Sequence, residues 1–349
     1  MMSVSAATAK GFSLVELLVA MALSSVLLGG IIQVFIGSKQ AYSFNEELGW
    51  IQENSRFAVE FMSRDLRMAG YWGCNKDIPV VDTLNPIGGT GWQGAFGNGL
   101  GGFNGDDTGN AAFTTSEFPQ PTPPVVASGT VPRSDVLTLS RLDSSQSFSV
   151  TAHNPASAVM TIGSHPFNDG DILVVSDCGH SAIFQHAGSN PGKVVHNTGT
   201  GTPGNSTNAL GTPLGTSYTY GNNGPASVMR AMSSAYYVDV ASNGLPALFV
   251  RSLANNAATT SSELIQGIEN LQVLYGEDLT ADGSPNRYVD ASNVGVWTNV
   301  TAVKIHLLAR SLQTVASEPQ DFSFMGVTYT PTDRFLRQEF VSTVKIRNR

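Results

Sequence analysis

The chain has 349 residues, a net charge of −8, only 13% charged side chains, 36 glycines and two cysteines. That length allows one large domain or two small ones beyond any terminal segment. The acidic, glycine-rich composition lacks the basic face that nucleic-acid binding needs, and it suits an exported, β-rich protein.

A short polar leader ends at Lys10–Gly11, and from Leu14 to Ile36 the only charge is Glu16. About 20 apolar residues span a bilayer core, so the run predicts a transmembrane helix. A secretory signal places its small-residue cleavage site after the apolar run. Here Gly11 precedes it, so a cut at Gly11–Phe12 leaves the apolar helix on the mature chain. A carboxylate in hydrocarbon is costly unless compensated. The same cut creates an ammonium at Phe12, one helical turn from Glu16. Lys10 favours a cytoplasmic leader, with the rest of the chain across the membrane.

Lys10-Gly11-Phe12-Ser13-Leu14-Val15-Glu16 resembles the leader-peptidase site of type IV prepilins. The resemblance implies cleavage after Gly11, methylation of the new amine on Phe12, and Glu16 as the mature residue that pairs with the terminal ammonium of a neighbouring subunit.

Beyond Ile36 the pattern changes. Phe44, Leu48, Ile51, Ala58, Met62 and Ala69 form one stripe of a 3.6-period helix. Glu60 and Arg64 stand i,i+4 in the favourable order. One helix is expected from Ser13 to Met68, its first half in lipid and its second half against a globular domain. Gly29, Gly30, Gly37 and Gly49 weaken it by about 1 kcal/mol each relative to Ala, and Gly70 is its stop. Trp50 and Phe57 read as core. Arg56, Arg64, Asp65 and Arg67 form a charged cluster at the helix end, either a solvated face or a docking site.

Cys74 and Cys178 are the only cysteines, and in an oxidising compartment they most simply form one disulfide. Closing so long a loop is worth up to roughly 4.7 kcal/mol in the chain-entropy model. The rival reading is a metal site, because Cys178-Gly179-His180 lies near His186.

After the helix, the Gly-rich stretch Ile87–Gly109 and the Pro-rich stretch Pro119–Pro132 read as loops, as does Asn197–Gly224. Strands are expected at Asp135–Leu139, Phe148–Thr151, Ala158–Ile162, Asp171–Ser176 and Ala182–Gln185. They recur at Ala235–Val240, Ala247–Arg251, Leu271–Tyr275, Val303–Ala309 and Glu339–Ile346. A short helix is expected at Ser261–Ile268. The fold class is α+β: a long N-terminal helix packed on an antiparallel β-rich domain.

Gly97-Asn98-Gly99-Leu100-Gly101-Gly102 fits G-x-G-x-x-G, but neither the strand before it nor the helix after it that a dinucleotide site needs is predicted. There is no G-x-S-x-G elbow, H-E-x-x-H pair or Walker loop, so no enzyme is expected. In Glu277–Asn286, the oxygens of Asp278, Asp282 and Asn286 are candidate calcium ligands. The spacing departs from D-x-D-x-D-G, and Asp282–Gly283 is a good hairpin turn by itself.

Further blocks narrow the resemblance. Asn54–Ala58 through Arg64–Cys74, Gly170–Leu173 with Ser176–Cys178, Gly267–Gly276, Val303–Ser311 and Phe340–Asn348 look like the PilW family of minor pilins. The resemblance divides the chain into a leader (1–11), a transmembrane or filament-core half-helix (12–37), an amphipathic half-helix (38–70) and a β-rich domain (71–349) with long loops near 87–132 and 197–224. It implies a low-abundance subunit that primes pilus assembly at the tip. Its expected partners are other minor pilins, the major pilin, the prepilin peptidase and the inner membrane, with no nucleic acid and no cofactor apart from the calcium candidate. The domain is expected in the periplasm and then on the fibre. A minor pseudopilin of type II secretion shares the leader, Glu16 and helix, and a membrane-anchored adhesive or ligand-binding module is the rival from another class.

Overall fold

The computed structural model describes residues 13–73, 80–87, 91–106, 117–188, 190–199, 201–211 and 215–348. One helix, α1, runs unbroken over Leu14–Met68. It ends where expected: Gly70 takes φ +73° and donates its N–H to Ser140 O at 2.9 Å. A left-handed residue at that point costs glycine little and any other residue more.

The rest is strand. In chain order these are β1 (Val80–Asp82), β2 (Leu100–Phe103), β3 (Val136–Leu142), β4 (Phe148–Ser149), β5 (Ala152–Asn154) and β6 (Val159–Gly163). Then come β7 (Ile172–Ser176), β8 (Ser181–Gln185), β9 (Gly192–Val195), β10 (Ser227–Val240), β11 (Pro246–Leu253) and β12 (Thr259–Gln266). The last six are β13 (Ile268–Glu277), β14 (Arg287–Val289), β15 (Val300–Arg310), β16 (Phe322–Phe324), β17 (Val327–Tyr329) and β18 (Arg337–Lys345).

Strand β10 organises the larger sheet. Its first residues pair with β7 and β4, its middle with β3, and its second half with β11. The order β1-β8-β7-β10-β11-β12, with β2 and β3 attached, is antiparallel except for the short parallel pair β1–β8. The second sheet, β14-β13-β15-β18, is antiparallel throughout.

Gly267 joins the two sheets. It is the single residue between β12 and β13, and it sits at φ +82° against the Trp50 ring and Arg310 O. The sequence Ser261–Ile268 is therefore not a helix: it is most of an edge strand, a corner and the start of the next sheet. Partner β11 supplies the hydrogen bonds, and Thr259 and Thr260 suit a pleated surface.

The main core lies where α1 meets both sheets. Ile51, Ala58, Met62 and Leu66 pack with Leu137, Tyr236, Leu248, Leu271, Val273, Ile305 and Leu307. A separate core in the outer lobe gathers Met160, Leu173, Phe184, Val194 and Tyr220, and no residue of α1 enters it.

Candidate assembly site

Helix α1 begins with a capping box. Ser13 is the N-cap in extended conformation; its Oγ accepts the Glu16 N–H at 3.2 Å, and Glu16 Oε2 accepts the Ser13 N–H at 3.0 Å. Two backbone donors that the first turn leaves orphaned are satisfied by these side chains. The Glu16 carboxylate is thereby held at the positive end of the helix dipole. The signal was present in the sequence as Ser13-x-x-Glu16, and the apolar run around it drew attention to the charge rather than to the cap. Gly11 and Phe12 lie outside the described residues.

From Leu14 to Ile36 every side chain is exposed, with Val26 at 76% and Phe35 at 70%. At about 1.5 Å per residue this bare segment is roughly 34 Å long, enough for a hydrocarbon core of about 30 Å. The helix is long and apolar enough to cross a membrane. Ser25 Oγ donates to Ala22 O at 2.8 Å, so this hydroxyl is satisfied within the helix.

The domain first grips the helix near its middle. Glu47 Oε2 accepts the Leu312 N–H at 2.8 Å, and Trp50 packs on Gly267. Of the expected stripe, Ile51, Ala58, Met62 and Ala69 are buried, Leu48 is half-buried and Phe44 is exposed. Phe57 is 54% exposed and does not belong to the core as expected; it leans on Phe61, which meets Tyr236 edge-on. Its position, one residue before Ala58, turns it off the buried stripe.

The charged cluster at the helix end divides. Asp65 turns inward, where its Oδ1 meets Arg141 Nη2 at 3.2 Å and its Oδ2 accepts the Tyr236 hydroxyl at 2.6 Å. Burial, and then the Asp65 carboxylate, push the Tyr236 phenol well above its usual range. Arg56, Arg64 and Arg67 turn outward and are exposed.

Cys178 occupies the β7–β8 turn with φ +64°, and Cys74 lies outside the described residues. The chain leaving the helix runs beside that turn: a Cβ on Gly73 would stand 2.7 Å from Ser176 Oγ. His180 and His186 flank opposite ends of β8, and His180 stacks on Tyr218 at 3.8 Å instead of facing His186.

The residues 278–286 connect β13 to β14 as a hairpin loop. Asp278 accepts N–H groups from Gly283 (2.6 Å), Thr280 (3.1 Å) and Asp282 (3.3 Å). Asp282 accepts from Ser284, and Asn286 from Leu279. These oxygens all serve the turn. Gly97–Gly102 is a 3-10 turn running into β2. Among the described residues no group of three His, Cys, Asp or Glu converges to hold a metal ion.

Residues 235–348 match the family model for the type IV pilus-assembly protein W, PilW, and residues 7–32 match the prokaryotic N-terminal methylation motif. No curated protein and no solved structure matches the chain. The first match runs from the second half of β10 through β18, the part of the domain that embraces the helix. The second takes in Gly11, Phe12 and Glu16.

Proposed function

We infer that this chain, a type IV pilus protein by its PilW domain and N-terminal methylation motif, is a minor pilin that takes part in starting the filament, at its tip. The observation that carries the reading is the bare half of α1. An apolar rod that none of the other described residues covers needs a second apolar environment, and the same surface suits lipid first and neighbouring helices afterwards. The continuous backbone from Leu14 to Met68 then fixes the domain rigidly relative to whatever packs on the rod.

In this reading the prepilin peptidase cuts after Gly11, and the helix waits in the inner membrane with the domain in the periplasm. On assembly, helix–helix packing replaces lipid. The Glu16 carboxylate, now capping its own helix, is aimed at the end from which the methylated Phe12 amine of a neighbour, a minor or major pilin, can reach it. Neutralising both charges removes the cost of leaving either in an apolar bundle. Cys74 and Cys178 form a disulfide tying the helix exit to the β7–β8 turn, supported by the approach of Gly73 to Ser176. A mobility difference between reduced and oxidised full-length chain on a gel checks this bond.

The decisive experiment is Glu16→Ala in cells. Membrane retention is expected to persist while filaments disappear by electron microscopy. Wild-type piliation in that variant, or a functioning subunit whose intact mass still includes residues 1–11, overturns the reading.

A further inference from the structure

Strand β18 has a free edge. It ends the second sheet, and its only strand partner among the described residues is β15. Ile346 donates its N–H to Thr301 O at 2.9 Å, which places the even-numbered residues' backbone groups toward β15. Antiparallel strands alternate in this respect, so Val341, Thr343 and Lys345 turn their N–H and C=O groups away from the sheet. All three residues are exposed, Val341 at 53%.

That edge borders an open groove of about 1200 Å³, whose other wall is the last turns of α1. The volume exceeds the roughly 300–1,000 Å³ of small-molecule sites and suits a chain segment. Met232 and Phe340 give the groove apolar surface, and Arg56, Arg64, Arg67 and Arg347 line it. None of these four arginines makes an ion pair among the described residues, although Glu60 and Asp143 also line the groove. Four unpaired guanidinium groups gathered in a chain of net charge −8 call for carboxylates from outside.

We propose that an extended, carboxylate-bearing segment of a different pilus subunit adds as a strand to the free edge of β18, its acidic side chains held by Arg56, Arg64, Arg67 and Arg347. This rests on the reading of the chain as a pilus subunit. Main-chain hydrogen bonds to the edge provide affinity, and the arginines select the partner. A second copy of this chain does not fit, because β18 paired with β18 brings two arginine rims together. Lipid headgroups do not fit either. Arg56 stands twenty residues beyond Ile36, roughly 30 Å along the helix, farther than the headgroup layer extends.

The test uses full-length chain, co-expressed with each of the other pilin-like subunits of the same pilus and purified in detergent, alone and as the co-purified complex. Amide exchange at Val341, Thr343 and Lys345 is expected to slow at least tenfold in the complex. The triple variant Arg56→Glu/Arg64→Glu/Arg347→Glu should reduce co-purification at least tenfold. Val341→Pro should do the same, since it removes an outward N–H and leaves the β15 ladder intact. Near-UV circular dichroism checks that each variant folds. The proposal fails if these amides exchange equally fast with a partner bound, if they are already slow in the chain alone through self-pairing, or if the arginine variant binds normally. Glu16→Ala separates the two readings: loss of filaments with an unchanged edge sinks only the groove, whereas normal filaments in Glu16→Ala sink the pilus mechanism.

Discussion

Leu14–Ile36 and Ile51–Met68 belong to one unbroken helix and solve opposite problems. The first segment is apolar on every side and buries nothing against the other described residues. The second buries only one face, at Ile51, Ser55, Ala58, Met62 and Leu66. A helix hydrophobic all round belongs to a membrane or a bundle, and one with a single stripe belongs on the surface of a core. Gly29 and Gly30 stand in the uncovered stretch, with open space where a Cβ would go. None of the domain's core clusters contains a residue of the first segment, so a change in that segment's surroundings leaves the described core contacts intact.

Substitutions at matched positions test that separation. Leu66→Ala, in the core, should destabilise the domain by about 2–5 kcal/mol, read as a lower melting temperature in detergent. Acid should act next, and on the outer lobe, which shares no core with the helix. His153 Nδ1 accepts the Tyr220 N–H at 3.1 Å, so its Nε2 carries the proton and donates to His196 Nε2 at 3.0 Å. Burial pulls His153 down to about 4 and, with a smaller contribution from His153, pulls His196 down to about 3. Because both folded values lie below the unfolded value of 6.5, the stability from the neutral pair is complete above that pH and is lost as pH falls toward 4 and 3. For the fully buried His196 the loss is on the order of 2–4 kcal/mol. Tyrosine fluorescence from Tyr218 and Tyr220 should change at higher pH than the helical circular dichroism signal; simultaneous change means that the two cores melt as one.

Asp65→Asn should cost about 1–3 kcal/mol, since Arg141 loses its charge partner and Tyr236 its anionic acceptor. Chemical denaturation measures it. The smallest effect is expected in the bare segment: Leu23→Ala should shift domain melting by less than about 0.5 kcal/mol. A larger shift there means that the first half of the helix supports the domain after all.

Much of the helix could be read in the chain, for physical reasons specific to it. Local signals carry the cap at Ser13, the stop at Gly70 and the alternation of burial over Ile51–Met62, because each depends on neighbours within one or two turns. Phe57 shows where that stops: its hydrophobicity says core, but its angular position on α1 points it outward. Ser261–Ile268 misled for the opposite reason. The segment is polar and lacks clear alternation, and only the hydrogen bonds offered by β11 make it a strand. No local pattern announces that Gly267 must turn left-handed under Trp50, more than two hundred residues earlier.

The residues by themselves determined the two-part helix and set a lone charge, Glu16, at the start of its apolar run, since those follow from periodicity and composition, and residues 7–32 carry a recognisable methylation motif. Tertiary structure alone decided which helix-end charges face inward, that Asp65 is consumed by Arg141 and Tyr236, and that the remaining arginines border a strand edge with no partner among the described residues. Such pairings join positions far apart in the chain, and a contact between distant residues has no energy until the fold has brought them together.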